Sequence, residues 1–269
     1  MKHLSRIYLC LIFGILYIPI ITLIFFSFNA QNSTAVFSGF SLMWYRELFS
    51  SPDTFVALRN TLILAITSSL LATVIGTAAA EGIYRMRNKI VKNTVKSVTN
   101  IPMMNPDIVT GMSMMLFFVA VAGIIGGAYD SIGFVAMLIA HTTFSLPYVI
   151  LSVLPRVTDL GKTYSEAAMD LGCTPLQSFF KVELPNLLPG VLSGFIMAFT
   201  LSLDDFVISY FVGSSNFQTL PLLIYSMTKK KVTPDMYALS TLIIVTIFAL
   251  LVISNVRSGR RARKAGGKK

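Results

Sequence analysis

The stretch that decides the fold runs from Glu166 to Pro185 and reads EAAMDLGCTPLQSFFKVELP. Ser165, just before it, is expected to cap a short helix beginning at Glu166, because its hydroxyl oxygen accepts from free backbone N–H groups. The Glu166 carboxylate also suits the positive end of a helix. Gly172 is placed to end this helix, since glycine readily adopts the left-handed conformation that follows many helices.

A second helix is expected directly after that turn. Thr174 is a suitable cap, and Pro175 fits the first turn because an N–H there has no partner within the helix. The helix is predicted to reach Val182, and Leu184–Pro185 is predicted to stop it before the next apolar run. The stretch therefore predicts two short helices around a tight turn.

Outside this stretch the chain is built from long apolar runs. Of its 269 residues, 54% are hydrophobic and 13% charged, against about 25% charged in soluble domains. Each of six runs is long enough to cross a ~30 Å hydrocarbon core as a helix, and helix is required because lipid offers no partner for free backbone groups. The runs cover residues 7–28, 60–84, 98–122, 132–154, 187–212 and 236–256.

These runs predict an all-α membrane protein with six transmembrane helices in one domain, residues 1–256. Residues 155–186 are predicted to form a cytoplasmic loop between the fourth and fifth spans, and residues 257–269 form a basic tail that we expect to be disordered. The first run exceeds the ~7–15 apolar residues of a signal peptide, so it is predicted to remain as a span. Pro106 lies inside the third run, where we expect the helix to tolerate it.

The distribution of positive charge predicts the orientation. With both termini in the cytoplasm, 17 of the 22 Lys and Arg residues fall on the cytoplasmic side, and cytoplasmic loops of membrane proteins carry such an excess. Lys229, Lys230 and Lys231 fall outside. They are expected either to touch water and lipid headgroups or to contact an acidic partner.

The opening stretch resembles the EAA loop of type I ABC importer permeases. The match consists of Glu166-Ala167-Ala168, then Gly172, then Leu184-Pro185, while the family usually has Ile where this chain has Val182. The resemblance implies a coupling helix that docks on a cytoplasmic ATPase. The apolar residues Met169, Leu171 and Phe179 are expected to anchor the helix pair. The alternative is an amphipathic helix lying on the inner leaflet. The residues assigned to coupling are Glu166, Ala167, Ala168, Met169, Leu171, Gly172, Phe179, Leu184 and Pro185.

Five further motifs extend the resemblance over nearly the whole chain: 17–19, 60–62, 105–109, 141–147 and 201–205. Together they resemble the C-type permease subunit of spermidine/putrescine transporters. That resemblance implies a bacterial inner-membrane location, a second homologous permease subunit, an ATP-binding subunit dimer and an extracytoplasmic polyamine-binding protein. ATP and Mg²⁺ would bind the ATPase, so this chain is expected to be a non-catalytic transport subunit without a cofactor of its own.

Three aspartates lie inside the predicted spans. A charged side chain at the bilayer centre costs roughly 2.5–3.5 kcal/mol, so these residues should face the protein interior or water. Asp107 falls ~14 Å into the third span and Asp204 ~26 Å into the fifth at 1.5 Å per residue. Separated, individually weak carboxylates suit a flexible polycation. The alternative for Asp107, Asp204 and Asp205 is hydrogen bonding that caps broken helices or joins the two permease subunits.

Four aromatic residues are candidates for cation–π contact with such a cargo: Trp44, Tyr45, Tyr210 and Tyr225. The alternative is the ordinary aromatic belt at a membrane interface.

Small and polar residues inside the runs predict packing. Gly190, Gly194 and Ala198 form a stripe suited to close helix approach. Glu81 and Arg85 are four residues apart, which favours an ion pair on one helix face. His141 is interpreted as an interhelical hydrogen-bonding residue, and the alternative is a metal or proton site.

The sequence lacks the residues that other functional classes require. The positive charge lies between apolar runs rather than on a folded face, which disfavours nucleic acid, and two cysteines and two histidines are too few and scattered for a structural metal site. No Gly-rich phosphate loop is present, and no nucleophile–base constellation supports an intramembrane enzyme. An importer of an anion or a metal chelate, and an autonomous channel or carrier, remain as alternatives.

Overall fold

The structure is a computed structural model and describes residues 2–31, 36–125, 133–161, 163–214, 216–230, 236–242 and 244–245. The described chain is overwhelmingly helical. Its named helices are α1 (Lys2–Phe26), α2 (Met43–Ser50), α3 (Pro52–Arg85), α4 (Lys89–Met104), α5 (Asp107–Ile125), α6 (Gly133–Leu160), α7 (Thr163–Asp170), α8 (Pro175–Ser178), α9 (Leu184–Asp204), α10 (Val207–Val212) and α11 (Leu220–Lys230). A π-helical turn, Phe179–Glu183, joins α8 to α9.

Within the described ranges, four helical stretches are long and apolar enough to cross a membrane. They are Pro52–Arg85, Asp107–Ile124, Gly133–Leu160 and the continuous stretch Pro175–Asp204, and α1 adds a shorter apolar segment, Leu11–Phe26. The predicted sixth span lies mostly outside the described residues, and the predicted basic tail lies wholly outside them.

Two predicted spans are interrupted. The prediction of one helix through Pro106 is wrong, because α4 ends at Met104 and α5 begins at Asp107. Pro106 has no N–H to donate and forces the preceding residue out of helical conformation, and Asn105 accordingly has an extended ψ of 142°. The predicted fifth span breaks in the same way after Asp204, where Asp205 is extended with a ψ of 121°.

The chain divides into two compact units, Val56–Leu222 and Met1–Phe55 with Leu223–Lys269. In the first unit, one buried cluster lies where α3, α6 and α9 meet, and a second lies among α3, α5, α6 and α10. The first cluster is Ala72, Ala80, Ile83, Val149, Ile150, Val153, Val157, Leu187 and Ala198. The second is Leu64, Phe118, Ala136, Met137, Ala140, Ile208 and Val212.

Glycines let α9 approach α6 closely. A Cβ atom on Gly190 would lie 2.8 Å from Arg156 Cγ and 3.0 Å from the Ser152 carbonyl oxygen, and one on Gly194 would lie 3.3 Å from Val149 Cα. Ala198, one turn beyond Gly194, is fully buried. The small-residue stripe therefore lies in the α6–α9 contact, where close backbone packing holds helices together in lipid.

In the other unit, the segment after α1 is held by polar contacts. Asn29 and Phe40 form a β-bridge, and the buried Trp44 on α2 donates from Nε1 to the Asn29 carbonyl oxygen at 2.7 Å. These contacts anchor α2 to the segment that follows α1.

Candidate functional site

The stretch that opened the sequence folds into a helical hairpin, α7, a turn and α8. Gly172 adopts a φ of +87°, the left-handed conformation expected of it. The prediction that Ser165 caps α7 is wrong, because α7 starts at Thr163 and Ser165 lies inside it. The buried Ser165 instead holds the hairpin together, since its Oγ and the Ser178 Oγ are 3.2 Å apart.

The second half of the hairpin begins as predicted and ends differently. Thr174 accepts from the Gln177 backbone N–H, Gln177 bonds back to the Thr174 N–H, and Pro175 occupies the first turn. The prediction that Leu184–Pro185 stops the helix is wrong, because the chain continues through the π-helical turn directly into α9. Pro185 lies in the first turn of α9, a position that tolerates proline.

The hairpin and the π-helical turn that follows it expose apolar side chains. Leu171 is 88% exposed, Leu176 71% and Phe180 60%, whereas Ala168 is buried. Leu171 is therefore open to a partner, and Ala168 is the apolar residue of α7 that packs inside. Glu166, Ala167 and Met169 are exposed as well.

Beneath the hairpin lies a charged cluster that joins it to α3. The predicted Glu81–Arg85 ion pair is confirmed, but the Arg85 guanidinium also donates from one Nη to both Glu183 carboxylate oxygens, at 3.0 and 3.1 Å. Glu183 is buried within the π-helical turn. Sequence reasoning missed Glu183, because it is 98 residues from Arg85 and no local spacing relates them.

A cleft of about 210 Å³ opens at this cluster. Its walls come from the ends of α3 and α6, from α7 and from the π-helical turn, so it lies between the hairpin and the helices that carry it. Its lining residues are Glu81, Tyr84, Arg85, Arg87, Val157, Leu160, Gly161, Ser165, Glu166, Met169 and Glu183.

A second polar cluster surrounds the break between α9 and α10. Its centre is the buried His141 on α6, whose Nδ1 is 2.8 Å from Ser202 Oγ and whose Nε2 is 3.1 Å from Ser209 Oγ. Ser68 on α3 joins through Ser202, with the two hydroxyl oxygens 3.1 Å apart. The interpretation of His141 as an interhelical hydrogen-bonding residue is confirmed.

Asp205 has a structural role in the same cluster. Its carboxylate accepts from the backbone N–H groups of Ile208 at 3.2 Å and Ser209 at 2.8 Å, which are donors in the first turn of α10 and have no partner within that helix. The carboxylate also lies 3.5 Å from His141 Nε2. Of the two adjacent aspartates, Asp205 is thus engaged inside the protein, whereas Asp204 is exposed.

The two helix breaks lie near one another. A Cβ atom on Gly111 of α5 would lie 3.4 Å from the Val207 carbonyl oxygen at the start of α10. Asp107 precedes Gly111 by about one helical turn, or ~6 Å, and Asp204 precedes Val207 by three residues. Both Asp107 and Asp204 are exposed. The fold therefore brings two exposed carboxylates, each at an interrupted helix, to neighbouring parts of the same unit.

The predicted aromatic residues have unequal environments. Trp44 is buried, and the Tyr45 hydroxyl is 2.8 Å from Ser27 Oγ. The Tyr210 ring packs against Phe206 and Phe211 with centroids 5.5 and 5.4 Å apart, and its side chain is partly open. The Lys229 Nζ lies 4.7 Å from the centroid of Tyr225, so this ring already holds a cation from its own helix.

Comparison with known proteins identifies relatives along most of the chain. Residues 72–264 match the family described as the binding-protein-dependent transport system inner membrane component. The chain is 38% identical to the putrescine transport system permease protein PotI of Escherichia coli K12 over 86% of its length and 82% of that protein. It is 38% identical to the spermidine/putrescine transport system permease protein PotC of Haemophilus influenzae, over 94% and 95% of the two chains.

The fold also resembles solved structures. A chain of a bacterial ABC transporter involved in the import of the acidic polysaccharide alginate superposes with a TM-score of 0.73 at 17% identity, covering 96% of each chain. A bacterial alginate ABC transporter in complex with its alginate pentasaccharide-bound periplasmic protein gives a TM-score of 0.70 at 16% identity, covering 94% of this chain and 91% of that one. At these identities the likeness concerns the fold.

Proposed function

The chain belongs to the family of binding-protein-dependent transport system inner membrane components and is a membrane permease subunit of an ABC importer; from this premise we propose that its cargo is a polyamine, such as spermidine or putrescine. The relatives named for these cargoes match it over most of both chains. The proposal assigns each of the two polar regions a separate task, coupling or cargo passage.

We also infer the number of membrane spans and the side of the membrane on which the termini lie. Six spans with both termini in the bacterial cytoplasm agree with the excess of Lys and Arg assigned to that side, and the family is one of inner-membrane components. In this arrangement the helical hairpin at 163–178 lies on the cytoplasmic side.

Coupling belongs to that hairpin. We assign the face formed by Glu166, Leu171, Leu176 and Phe180 to contact with a partner subunit that binds and hydrolyses ATP. A dimer of such subunits would drive this chain together with a second, homologous permease subunit. A short hairpin continuous with α9 suits this task, because a displacement of the hairpin is passed directly to a long helix.

Cargo passage belongs to the neighbouring helix breaks. The observation that carries this assignment is the pair of exposed carboxylates, Asp107 and Asp204, at interruptions of apolar helices. Interrupted backbone at membrane depth is tolerated where it is buried in protein or lines a water-filled cavity. Two separated carboxylates attract an extended polycation without binding it so tightly that it cannot leave. Asp205 shapes the break and does not itself contact the cargo.

The test is reconstitution of the complete transporter in proteoliposomes. The chain is combined with its second permease subunit, the ATPase and the polyamine-binding protein, and uptake of labelled spermidine and putrescine is compared with uptake of sulfate and a ferric chelate. We expect ATP-dependent polyamine uptake that requires the binding protein. Uptake of sulfate or the chelate instead would move the cargo to another class, and uptake by this chain alone, without ATPase, would favour a channel or carrier.

A further inference from the structure

We infer that Arg85 and Glu183 are positioning residues, which make α3 follow the coupling hairpin when the hairpin moves. This inference rests on the proposed coupling role of the hairpin. Its basis is the position of the two residues. Arg85 is the last residue of α3, and Glu183 lies in the π-helical turn that joins the hairpin to α9. The contact therefore connects two long helices at the end where the hairpin is attached.

The cluster joins the hairpin to α3 through a short series of polar contacts. Within the hairpin, Ser165 of α7 contacts Ser178 of α8, and Ser178 is followed directly by the π-helical turn. At the end of that turn, both Glu183 oxygens accept from Arg85. Without Arg85, the hairpin would remain tied to α9 through the backbone and would lose this charged link to α3.

The geometry of the guanidinium matters more than its charge. Arg85 uses Nε for Glu81 and Nη for Glu183, so one planar group connects a carboxylate on its own helix to one in the turn. Lysine carries the same charge on a single nitrogen with no fixed fork. It cannot reproduce that two-sided, planar arrangement.

Burial of Glu183 indicates a role other than added stability. Its residue is 4% exposed, while the Arg85 side chain is 51% exposed. An ion pair with a solvent-exposed partner contributes little net stability, because water screens the attraction. A buried carboxylate held by two hydrogen bonds does, however, fix the position of the turn relative to α3.

The test compares Arg85→Lys and Glu183→Gln, singly and together, in the reconstituted transporter with spermidine as the probe. Arg87→Lys is the matched control, because Arg87 is exposed and lines the same cleft two residues away. The readout is spermidine taken up per ATP hydrolysed, since a purely structural defect would lower the amount of complex and leave this ratio unchanged.

We expect each single variant to lower the ratio about five-fold or more, the lower end of typical coupling between sites, with Arg87→Lys at the wild-type value. The double variant should have no lower a ratio than the more impaired of the two single variants, because both changes remove the same contact. A wild-type ratio in both single variants, additive losses, or complete loss of assembly in both would overturn the inference. Absence of ATP-driven uptake by the wild type would instead contradict the proposed function.

Discussion

Gly172 lies in the tight turn of the hairpin formed by α7 and α8. Its φ of +87° lies in the left-handed region, and a Cβ atom there would meet nothing within 4 Å. The demand for glycine is therefore conformational and not steric. For other residues this conformation costs roughly 1–2 kcal/mol, and asparagine tolerates it better than most.

Two substitutions at Gly172 test whether backbone conformation or space limits this position. We predict that Gly172→Ala lowers ATP-driven uptake more than the larger Gly172→Asn, because asparagine adopts the required conformation more readily. The measurement is initial uptake rate, normalised to the amount of assembled transporter in the membrane. If the larger side chain proved the more harmful, crowding against a partner would govern this site.

Substitutions of the two adjacent aspartates at the α9–α10 break should affect different properties, stability for Asp205 and uptake for Asp204. Asp205→Ala removes a carboxylate that accepts from two backbone N–H groups, so we expect it to lower stability by about 1–3 kcal/mol, as loss of a partner for buried donors does. Asp204→Ala should change stability by less than about 0.5 kcal/mol, as exposed substitutions do, and should impair polyamine uptake.

Thermal unfolding of the two purified variants in detergent, beside uptake assays, separates these outcomes. Asp204→Asn is the isosteric control that removes charge alone. Equal destabilisation by Asp204→Ala and Asp205→Ala would show that both carboxylates are structural, and unchanged uptake with Asp204→Asn would remove that residue from the cargo pathway.

At the scale of helices, sequence predicts what depends on neighbouring residues. The Gly172 turn and the Thr174 cap were both predictable, because every group involved lies within a few residues along the chain. The continuation of the helix past Pro185 was not, because the preceding π-helical turn carries Glu183, which pairs with Arg85, 98 residues distant. Pro106 was visible in the sequence, but whether a span bends or breaks at proline depends on its packing partners.

The α6–α9 contact gives a prediction about helix packing. A Cβ atom on Gly190 would lie 3.0 Å from the Ser152 carbonyl oxygen, which belongs to the backbone and cannot rotate away, whereas one on Gly82 of α3 would meet nothing within 4 Å. We expect Gly190→Ala to lower stability by about 1–3 kcal/mol through overpacking. Gly82→Ala should be neutral or stabilising, because alanine favours helix.

Thermal unfolding of the detergent-solubilised chain measures both glycine variants under the same conditions. If Gly190→Ala matched Gly82→Ala, the two helices would not be closely packed in the membrane, and the small-residue stripe would lose its role.

At the scale of the whole chain, a coupling role requires that the hairpin lie in the cytoplasm and be covered by a partner subunit. Cys173 sits in the turn of the hairpin with a partly exposed, free thiol, which makes it a natural reporter once Cys10 is replaced by serine. A membrane-impermeant maleimide should label Cys173 in inside-out vesicles and leave it unlabelled in intact spheroplasts.

Addition of the ATPase to vesicles that lack it should slow the labelling, because the docked subunit would cover the turn. Labelling from outside would reverse the orientation assigned to both termini, and an unchanged rate with bound ATPase would place its docking surface away from the Gly172 turn.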